Sequence, residues 1–409
     1  MFVLRGGIFP RLLALFPLLF PLYLYRGNMF GLSVTLPEVC LFFAILYFVF
    51  RERVWEKSWR REHAGGLFVW PVLIFLAAAL FSALISPRLS YFADGGEFYG
   101  LSKAVGIFKG WILSPIAYFY LVRYFFKEKP SLMETALNAL LASGVLLSLY
   151  ALYQVFTGDY LTSDFRASGP FESANYLALY LGPILIYSVH SIFGAKNKAE
   201  KIVMIFSALI CAAALFFTKS YASWVAVFAS AAVSFFLFLR KQSKPVRTVS
   251  AAVILLLFGV LLFSQIDTAK FSQFLDISNR SSSSVRIQVY KIAWELIREH
   301  PVFGIGLGQF EQVYQVTAVR ILNNAPFEWV MIHPHNLYLA LWLNTGLLGL
   351  VSMLYLVWQS LKWIFEKDSK KRPIVAMMLI VILVHGFFDT PLFKNDLAFE
   401  FWLLLAMLV

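Results

Sequence analysis

The sequence predicts an all-α, polytopic integral membrane protein with about twelve transmembrane helices and one long, helical extracytoplasmic loop. Three observations support this prediction. Of the 409 residues, 60% are hydrophobic and only 14% are charged, whereas a soluble domain is nearer half apolar and a quarter charged. Apolar runs long enough to cross a bilayer recur along the chain, and the mean hydropathy is +0.72. Basic connections alternate with connections that are poor in Lys and Arg.

Apolar runs of about 17 to 25 residues mark the predicted spans. They lie near residues 8–25, 34–50, 67–86, 103–122, 132–156, 173–193, 202–217, 223–239, 249–265, 335–360, 374–390 and 397–409. Prolines interrupt the first run, and because no small-residue cleavage signal follows it, we expect an uncleaved span. The chain then divides into residues 1–265 with transmembrane helices one to nine, an extracytoplasmic loop at 266–334 with amphipathic helices, and residues 335–409 with transmembrane helices ten to twelve.

The basic residues sort the connections by side. The formal net charge is +12. Five connections are conspicuously basic: RERVWEKSWRRE, RYFFKEK, GAKNKAEK, RKQSKPVR and KWIFEKDSKKR. The positive-inside rule places them in the cytoplasm together with both termini, and it places the loop 266–334 on the opposite side. Topology and anionic membrane lipids therefore explain the charge, and we expect no nucleic-acid partner.

The long loop contains a predicted helix with one unexpected arginine. The segment SSVRIQVYKIAWELIREHP predicts a helix from about Ser284 to Glu299, with a serine as N-cap and Pro301 beyond its end. At 100° per residue, Arg286 falls within the apolar arc of that helix. A guanidinium packed toward the membrane domain is costly unless an anion meets it. That anion is either a protein carboxylate or a substrate phosphate.

A second arginine precedes the sixth predicted span. Arg166 lies in YLTSDFRASGPFESANYLALYLG beside Asp164 and Glu172, so a local ion pair is one explanation for it. The Gly-Pro turn that follows, and Asn175 at the start of the span, place Arg166 at the membrane surface. Arg166 and Arg286 are therefore predicted to face the same side of the membrane.

Two histidines stand at the start of the tenth predicted span, in MIHPHNLYLALWLNTGLLGL. His333 and His335 lie at the N-terminal end of a helix, where the partial positive charge disfavours the imidazolium form. A neutral imidazole can accept a proton near pH 7, as a general base must. The alternative is a pair of interfacial histidines that cap the helix or contact the loop. His385 and Asp389, in LVHGFFDTPLF, form a further candidate pair with either a functional or a structural role.

No motif for metal binding or covalent catalysis accompanies these residues. The spacing of the two histidines matches no zinc motif, no H-E-x-x-H occurs, and the outer loops lack cysteine. The glycines of FGIGLGQF do not match a dinucleotide site, and we expect close packing or a re-entrant turn there. No G-x-S-x-G nucleophile elbow is present. We therefore expect no metal and no cofactor.

Three motifs, in this order around the long loop, resemble the O-antigen ligase and O-antigen polymerase superfamily. They are RASGPFESANYLA, SSVRIQVYKIAWELIREHPVFGIGLGQF and HPHNLYLALWLNTGLLGL, and the resemblance extends from about residue 94 to the end of the chain. It implies a GT-C-like, metal-independent glycosyltransferase in the bacterial inner membrane, with its active site facing the periplasm. Such an enzyme transfers a glycan, with inversion, from an undecaprenyl diphosphate carrier to a sugar hydroxyl on an acceptor glycolipid or glycan, in lipopolysaccharide or other polysaccharide biosynthesis.

The resemblance also implies roles for individual residues. The catalytic set comprises His335, Arg286 and Arg166, and the substrate-binding set comprises Lys219, Asn336, His333 and Asn175. One motif departs from the family pattern, because TKSYASW stands where members often have Ser-Arg-Gly. Tyr221 takes the place of the arginine, and Lys219 would supply the charge as a point cation without the guanidinium fork.

Two alternatives to an O-antigen ligase remain at this stage. A polymerase of the same superfamily would use the same chemistry but join one lipid-linked repeat to another. A small-anion transporter would also suit outward-facing arginines. A transporter should instead carry its polar groups at the middle of the bilayer, in broken helices.

Overall fold

The computed structural model describes residues 7–29, 32–52, 69–85, 101–162, 164–239, 280–362 and 373–409, with isolated positions between 248 and 263. Its helices are α1 (Ile8–Ala14), α2 (Leu36–Glu52), α3 (Val69–Ile85), α4 (Leu101–Ile107, continued by a π-helical turn at Phe108–Leu113 and by Ser114–Glu128), α5 (Ser131–Thr157), α6 (Ala174–Gly194), α7 (Lys198–Phe217), α8 (Tyr221–Leu239), α9 (Ser282–Glu299), α10 (Phe310–Leu322), α11 (Leu337–Leu361), α12 (Pro373–His385) and α13 (Asn395–Leu408). A 3₁₀ helix at Phe16–Leu24 and a hairpin of β1 (Arg26–Met29) and β2 (Leu32–Thr35) follow α1.

The architecture is that of a polytopic membrane protein. Within the described ranges, five helices are long and apolar enough to cross a bilayer: Lys103–Glu128, Ser131–Thr157, Ala174–Gly194, Lys198–Phe217 and Leu337–Leu361. Further predicted spans correspond to the shorter apolar helices α3, α8 and α12. The first predicted span is interrupted, as its prolines suggested, since α1 gives way to the 3₁₀ helix. The ninth, near 249–265, lies largely outside the described residues, so the predicted number of twelve remains a prediction.

The long helices pack into one bundle around a continuous apolar core. Helix α11 lies along α3, α6 lies between α7 and α12, and α13 packs against α4. The largest buried side chains at the centre are aromatic, and include Trp402, Phe399, Tyr118 and Phe20. Burial and close packing of such rings stabilise the helix pairs within this core.

Residues 280–334 form a small helical unit at one end of the bundle, which we call the loop subdomain. Helix α9 begins at the N-cap Ser281, whose hydroxyl accepts from the Ser284 amide while the Ser284 hydroxyl accepts from the Ser281 amide. The predicted helix at Ser284–Glu299 is therefore present and begins slightly earlier. Its apolar face packs on α10 and α11 through Val289, Ile292 and Leu296. This packing fixes the loop subdomain on the bundle.

The glycine motif of the loop subdomain inserts into a break in α11. Gly346 has φ +72° and ψ 178°, which interrupts the helix roughly 13 Å from its start. The amide of Ile305 donates to the carbonyl of Leu343, and the amide of Leu347 donates to the carbonyl of Val302, each at 2.9 Å. Gly304, also at positive φ, lies directly against the Leu343 carbonyl. The expected close packing at FGIGLGQF is what the structure shows.

The break in α11 generates a stability prediction. A Cβ on residue 346 would lie 2.5 Å from the Val302 carbonyl oxygen, and φ there is +72°. We expect Gly346→Ala to lower the stability of the folded protein by about 2 kcal/mol or more, from strain and overpacking. Thermal unfolding in detergent measures this loss. Gly106→Ala is the matched control, since open space surrounds Gly106; an equal loss in both variants would contradict the prediction.

Candidate active site

The start of α11 is built around His335 and Asn336. Asn336 is the N-cap, and its side-chain oxygen accepts from the amides of Tyr338 and Leu339. His335 has φ +48°, a conformation that non-glycine residues rarely adopt. The hydroxyl of Tyr290, on α9, donates to the His335 carbonyl at 2.9 Å. Helix α9 thus holds the backbone that orients the His335 imidazole.

A buried carboxylate lies beside both histidines. Asp389 Oδ1 is 3.5 Å from His335 Nδ1 and 4.0 Å from His333 Nδ1, and the Asp389 side chain is almost fully buried. Sequence analysis named His385 as the candidate partner of Asp389; the two groups do interact electrostatically, and the described ion pairs add His335 and His333 as partners. His385 is the last residue of α12, and the turn after α12 directs the carboxylate toward the start of α11.

The electrostatic environment favours a neutral His333 and an ionised Asp389. Burial lowers the pKa of His333 from 6.5 to about 4, and the neighbouring His335 lowers it further. Burial alone would raise the pKa of Asp389, but the adjacent imidazole of His335, with His333 and His385, outweighs burial and brings that pKa below its usual range. An imidazole with Nδ1 toward this carboxylate leaves Nε2 available to accept a proton.

Arg286 lies next to the Asp389 turn. Its Nε donates to the carbonyl of Phe388, and its Nη1 donates to the carbonyl of Ser282, each at 3.3 Å. Within the described part of the chain, no carboxylate lies within 4.0 Å of the guanidinium, so the protein-carboxylate explanation for Arg286 does not hold there. Backbone carbonyls position the side chain without neutralising its charge, which stays available to an anionic ligand.

Arg166 is held at the start of α6 and the α7–α8 junction. Its Nε forms an ion pair with Asp164 at 2.5 Å, which is the local pair that the sequence suggested. Its Nη1 also donates to the Asn175 side chain at 3.2 Å and to the Thr218 carbonyl at 3.3 Å. Lys219, the next residue, is exposed at the same junction and has φ +49°.

One tyrosine joins the arginine side of the site to the histidines. Tyr176 follows Asn175 on α6, and its hydroxyl lies 3.0 Å from His333 Nε2. Arg166 thus contacts Asn175, and the neighbouring Tyr176 contacts His333. Arg286 binds the carbonyl of Phe388, the residue before Asp389. Sequence analysis missed Tyr176, and its only signal there was its position immediately after Asn175. The structure brings the predicted site residues to the same end of the bundle, and their roles remain proposals.

The site also offers a set of possible metal donors. One ligand atom from each of His333, His335 and Asp389 lies within 4.8 Å of the others. Two imidazoles and one carboxylate suit a transition metal. Sequence analysis anticipated no metal because the histidine spacing alone matches no zinc motif. The third donor comes from a turn more than fifty residues further along the chain, and spacing patterns do not detect such a donor.

The chain is similar to a protein-family model and to two curated proteins. A family model described as O-antigen ligase matches residues 206–354. The teichuronic acid biosynthesis protein TuaE of Bacillus subtilis (strain 168) is 25% identical over 413 residues, covering 95% of this chain and 78% of TuaE. An O-antigen ligase of Salmonella typhimurium is 27% identical over 207 residues, covering 47% of this chain and 48% of that protein.

The helical architecture and these similarities indicate a polytopic membrane enzyme of the glycan-transfer class. Residues 206–354 match the O-antigen ligase family model, and the predicted resemblance to the O-antigen ligase and polymerase superfamily is confirmed. The matched region contains Lys219, Arg286, His333 and His335, whereas Arg166 and Asp389 lie outside it.

The low pKa of His333 predicts acid sensitivity. Between pH 6.5 and 4 the unfolded chain binds a proton at His333 that the folded chain does not. The contribution of His333 to the free energy of unfolding is therefore complete above pH 6.5 and falls as the pH drops through this window. From pH 7 to 5 this loss amounts to roughly 2 kcal/mol. We expect the melting temperature of His333→Gln to change less over that interval than that of the wild type. Parallel acid sensitivity in both proteins would contradict the assignment.

Proposed function

We propose that this protein transfers a glycan from an undecaprenyl diphosphate carrier to a sugar hydroxyl of an acceptor, as an inverting O-antigen ligase. The observation that carries the proposal is the position of His335 beside the buried carboxylate of Asp389, with Arg286 bound to the Phe388 carbonyl of the same turn. This arrangement places a base, His335, near a cation, Arg286. None of the described carboxylates forms an ion pair with that cation. The family match supports the transfer of a glycan as the reaction class.

In the proposed mechanism, the cations bind the diphosphate and His335 activates the acceptor. The guanidiniums of Arg286 and Arg166, with Lys219 near Arg166, stabilise negative charge on the diphosphate as the bond from its oxygen to the anomeric carbon breaks. His335 Nε2 removes the proton of the acceptor hydroxyl while the new carbon–oxygen bond forms. The electron pair of the broken bond leaves with the diphosphate, and attack from the opposite face inverts the anomeric centre.

The remaining site residues position these groups. Asp389 orients His335 and stabilises the imidazolium that forms on proton transfer, because its carboxylate lies 3.5 Å from Nδ1. Asn336 fixes the start of α11, and Asn175 holds Arg166. His333, Asn175 and Asn336 thus border the substrate site that we propose, and the loop subdomain covers it.

We place the enzyme in the bacterial inner membrane, with the site facing the periplasm and both termini in the cytoplasm. The distribution of basic connections supports this orientation. Its partners are then the lipid-linked glycan, an acceptor glycolipid or glycan, and membrane lipids. The site residues gather at helix ends rather than along the middle of helices, which favours surface transfer chemistry over anion transport.

A polymerase that joins lipid-linked repeats is the second candidate function. The similarity to TuaE, a teichuronic acid biosynthesis protein, extends over 95% of this chain, and the similarity to the O-antigen ligase extends over 47%. The chemistry at His335 and the arginines is the same for both functions. Only the acceptor differs.

Transfer assays on purified protein test the catalytic roles. We expect His335→Ala to lower kcat by about 10²- to 10⁴-fold, because it removes the general base. Arg286→Ala should lower kcat by about 10²-fold or more, because it removes charge stabilisation at the diphosphate. The assay follows release of undecaprenyl diphosphate from labelled lipid-linked glycan, with a lipid-anchored acceptor in one series and a second lipid-linked repeat in the other.

Arg298→Ala is the matched control for Arg286→Ala. Arg298 lies on the same helix but is exposed and pairs with Glu295, so its loss should leave kcat within about twofold of the wild type. If His335→Ala and Arg286→Ala retained the rate of Arg298→Ala, the proposed site would be wrong. The acceptor that supports turnover decides between ligase and polymerase.

The donor set at His333, His335 and Asp389 makes a metal test necessary. We expect EDTA treatment to leave kcat unchanged, since the base acts directly and the arginines supply the positive charge. Added Zn²⁺ should inhibit, because it competes with the proton for the imidazoles. Loss of activity in EDTA with recovery on addition of Zn²⁺ would show a metal-dependent reaction instead.

A further inference from the structure

A buried lysine lies behind the histidines, at the start of α13. Lys394 is the N-cap residue of α13 and is only 8% exposed. Its ammonium nitrogen lies 3.3 Å from the ring centroid of Tyr176, 5.1 Å from that of Phe171 and 5.3 Å from that of Tyr23. Among the described residues this nitrogen has no hydrogen-bond partner. Three aromatic rings thus surround a buried cation.

The aromatic rings and a nearby acid keep this lysine charged. Burial lowers the pKa of Lys394 to about 8, while Asp396 in the first turn of α13 opposes that shift. The ammonium is therefore predominantly protonated at pH 7. A desolvated cation over the face of an aromatic ring contributes about 2 kcal/mol or more of attraction. Tyr176 is the ring in closest contact, and it is also the ring whose hydroxyl reaches His333.

We propose that Lys394 is a positioning residue for the transfer reaction and acts on His333 through Tyr176. This inference rests on the proposed function. A cation over the ring withdraws electron density from it, which makes the Tyr176 hydroxyl a stronger donor and a weaker acceptor. The hydroxyl then donates to His333 Nε2, 3.0 Å away, and His333 carries its proton on Nδ1.

This tautomer matters because His333 and His335 face the same carboxylate oxygen. Their Nδ1 atoms lie 4.0 Å (His333) and 3.5 Å (His335) from Asp389 Oδ1. With a proton on each Nδ1, both imidazoles present an N–H to the carboxylate, and His335 keeps Nε2 free for the acceptor proton. If His333 carried its proton on Nε2 instead, its Nδ1 lone pair would face the carboxylate, and the repulsion would displace the imidazoles from these positions.

Packing alone does not require an ammonium in this cage. Methionine has a similar length and would fill the space between the rings without the cost of burying a charge. Lys394→Met therefore separates the charge from the volume of the side chain. Lys394→Arg keeps the charge and the capacity for aromatic contact, and it is the conservative variant.

The test is a double-mutant cycle in the glycan-transfer assay. We expect Lys394→Met to lower kcat about tenfold with KM within twofold of the wild type, and Lys394→Arg to restore kcat to within about threefold. Tyr176→Phe should lower kcat by a similar factor, and Lys394→Met should then cause no further loss. If the fold-losses in kcat of Lys394→Met and Tyr176→Phe multiplied in the double variant, or if Lys394→Met left kcat unchanged, the inference would be overturned. Melting temperatures confirm folding, and Lys394→Gln replaces the methionine variant if that variant does not fold.

A spectroscopic measurement separates this inference from the proposed function. The protein is labelled with ¹⁵N-histidine and reconstituted in nanodiscs, and the His333 signals are assigned with His333→Gln. We expect a protonated Nδ1 and an unprotonated Nε2 in the wild type, and a loss of that preference in Lys394→Met. If the wild type showed this pattern but no glycan transfer, the proposed function would be refuted, and only the control of the His333 tautomer by Lys394 would stand. An active wild type whose His333 tautomer is insensitive to Lys394 would refute the positioning role.

Discussion

The turn after α12, with the buried carboxylate of Asp389 at its end, is the constraint on which the site depends. Helix α11 binds this turn twice, because the Leu337 amide donates to the Gly386 carbonyl at 2.6 Å and the Asn336 side chain donates to the Phe387 carbonyl at 3.1 Å. Helix α9 binds it through Tyr290 and Arg286. The carboxylate itself accepts from the Thr390 amide. Elements distant in sequence are thereby held around one acid, which determines where the imidazoles and the guanidinium lie.

The hydrogen-bond partners of Arg286 and Arg166 determine how much positive charge the candidate active site offers to an anionic ligand. A guanidinium that pairs with a carboxylate is largely neutralised, whereas one that binds carbonyl oxygens is oriented and keeps its full charge. Among the described residues, the partners of Arg286 are carbonyl oxygens, and Arg166 divides its contacts between Asp164 and neutral groups. His333 is in the opposite situation, since burial keeps its imidazole neutral. The site thus places fixed cations close to an uncharged imidazole.

The sequence predicted the helical membrane architecture because apolar runs and basic connections are local features, and α5, α6, α7 and α11 agree closely with their predicted spans. It also identified Arg286, whose place on the apolar arc of α9 follows from helical periodicity alone. Sequence analysis did not find the contacts of Asp389 with His333 and His335, nor Tyr176 and Lys394, for a shared reason. Each of these contacts crosses the bundle, and a single sequence does not show which helix ends meet. The positive φ of His335 and the break at Gly346 likewise arise from tertiary hydrogen bonds.

The break in α11 has a mechanical consequence. Two main-chain hydrogen bonds and the indole of Trp342, which donates to the Pro301 carbonyl, fasten the C-terminal side of α9 to α11. A swinging motion of the loop subdomain would have to break these three hydrogen bonds together. The subdomain should therefore move with α11 as one rigid unit and not open as a hinged lid.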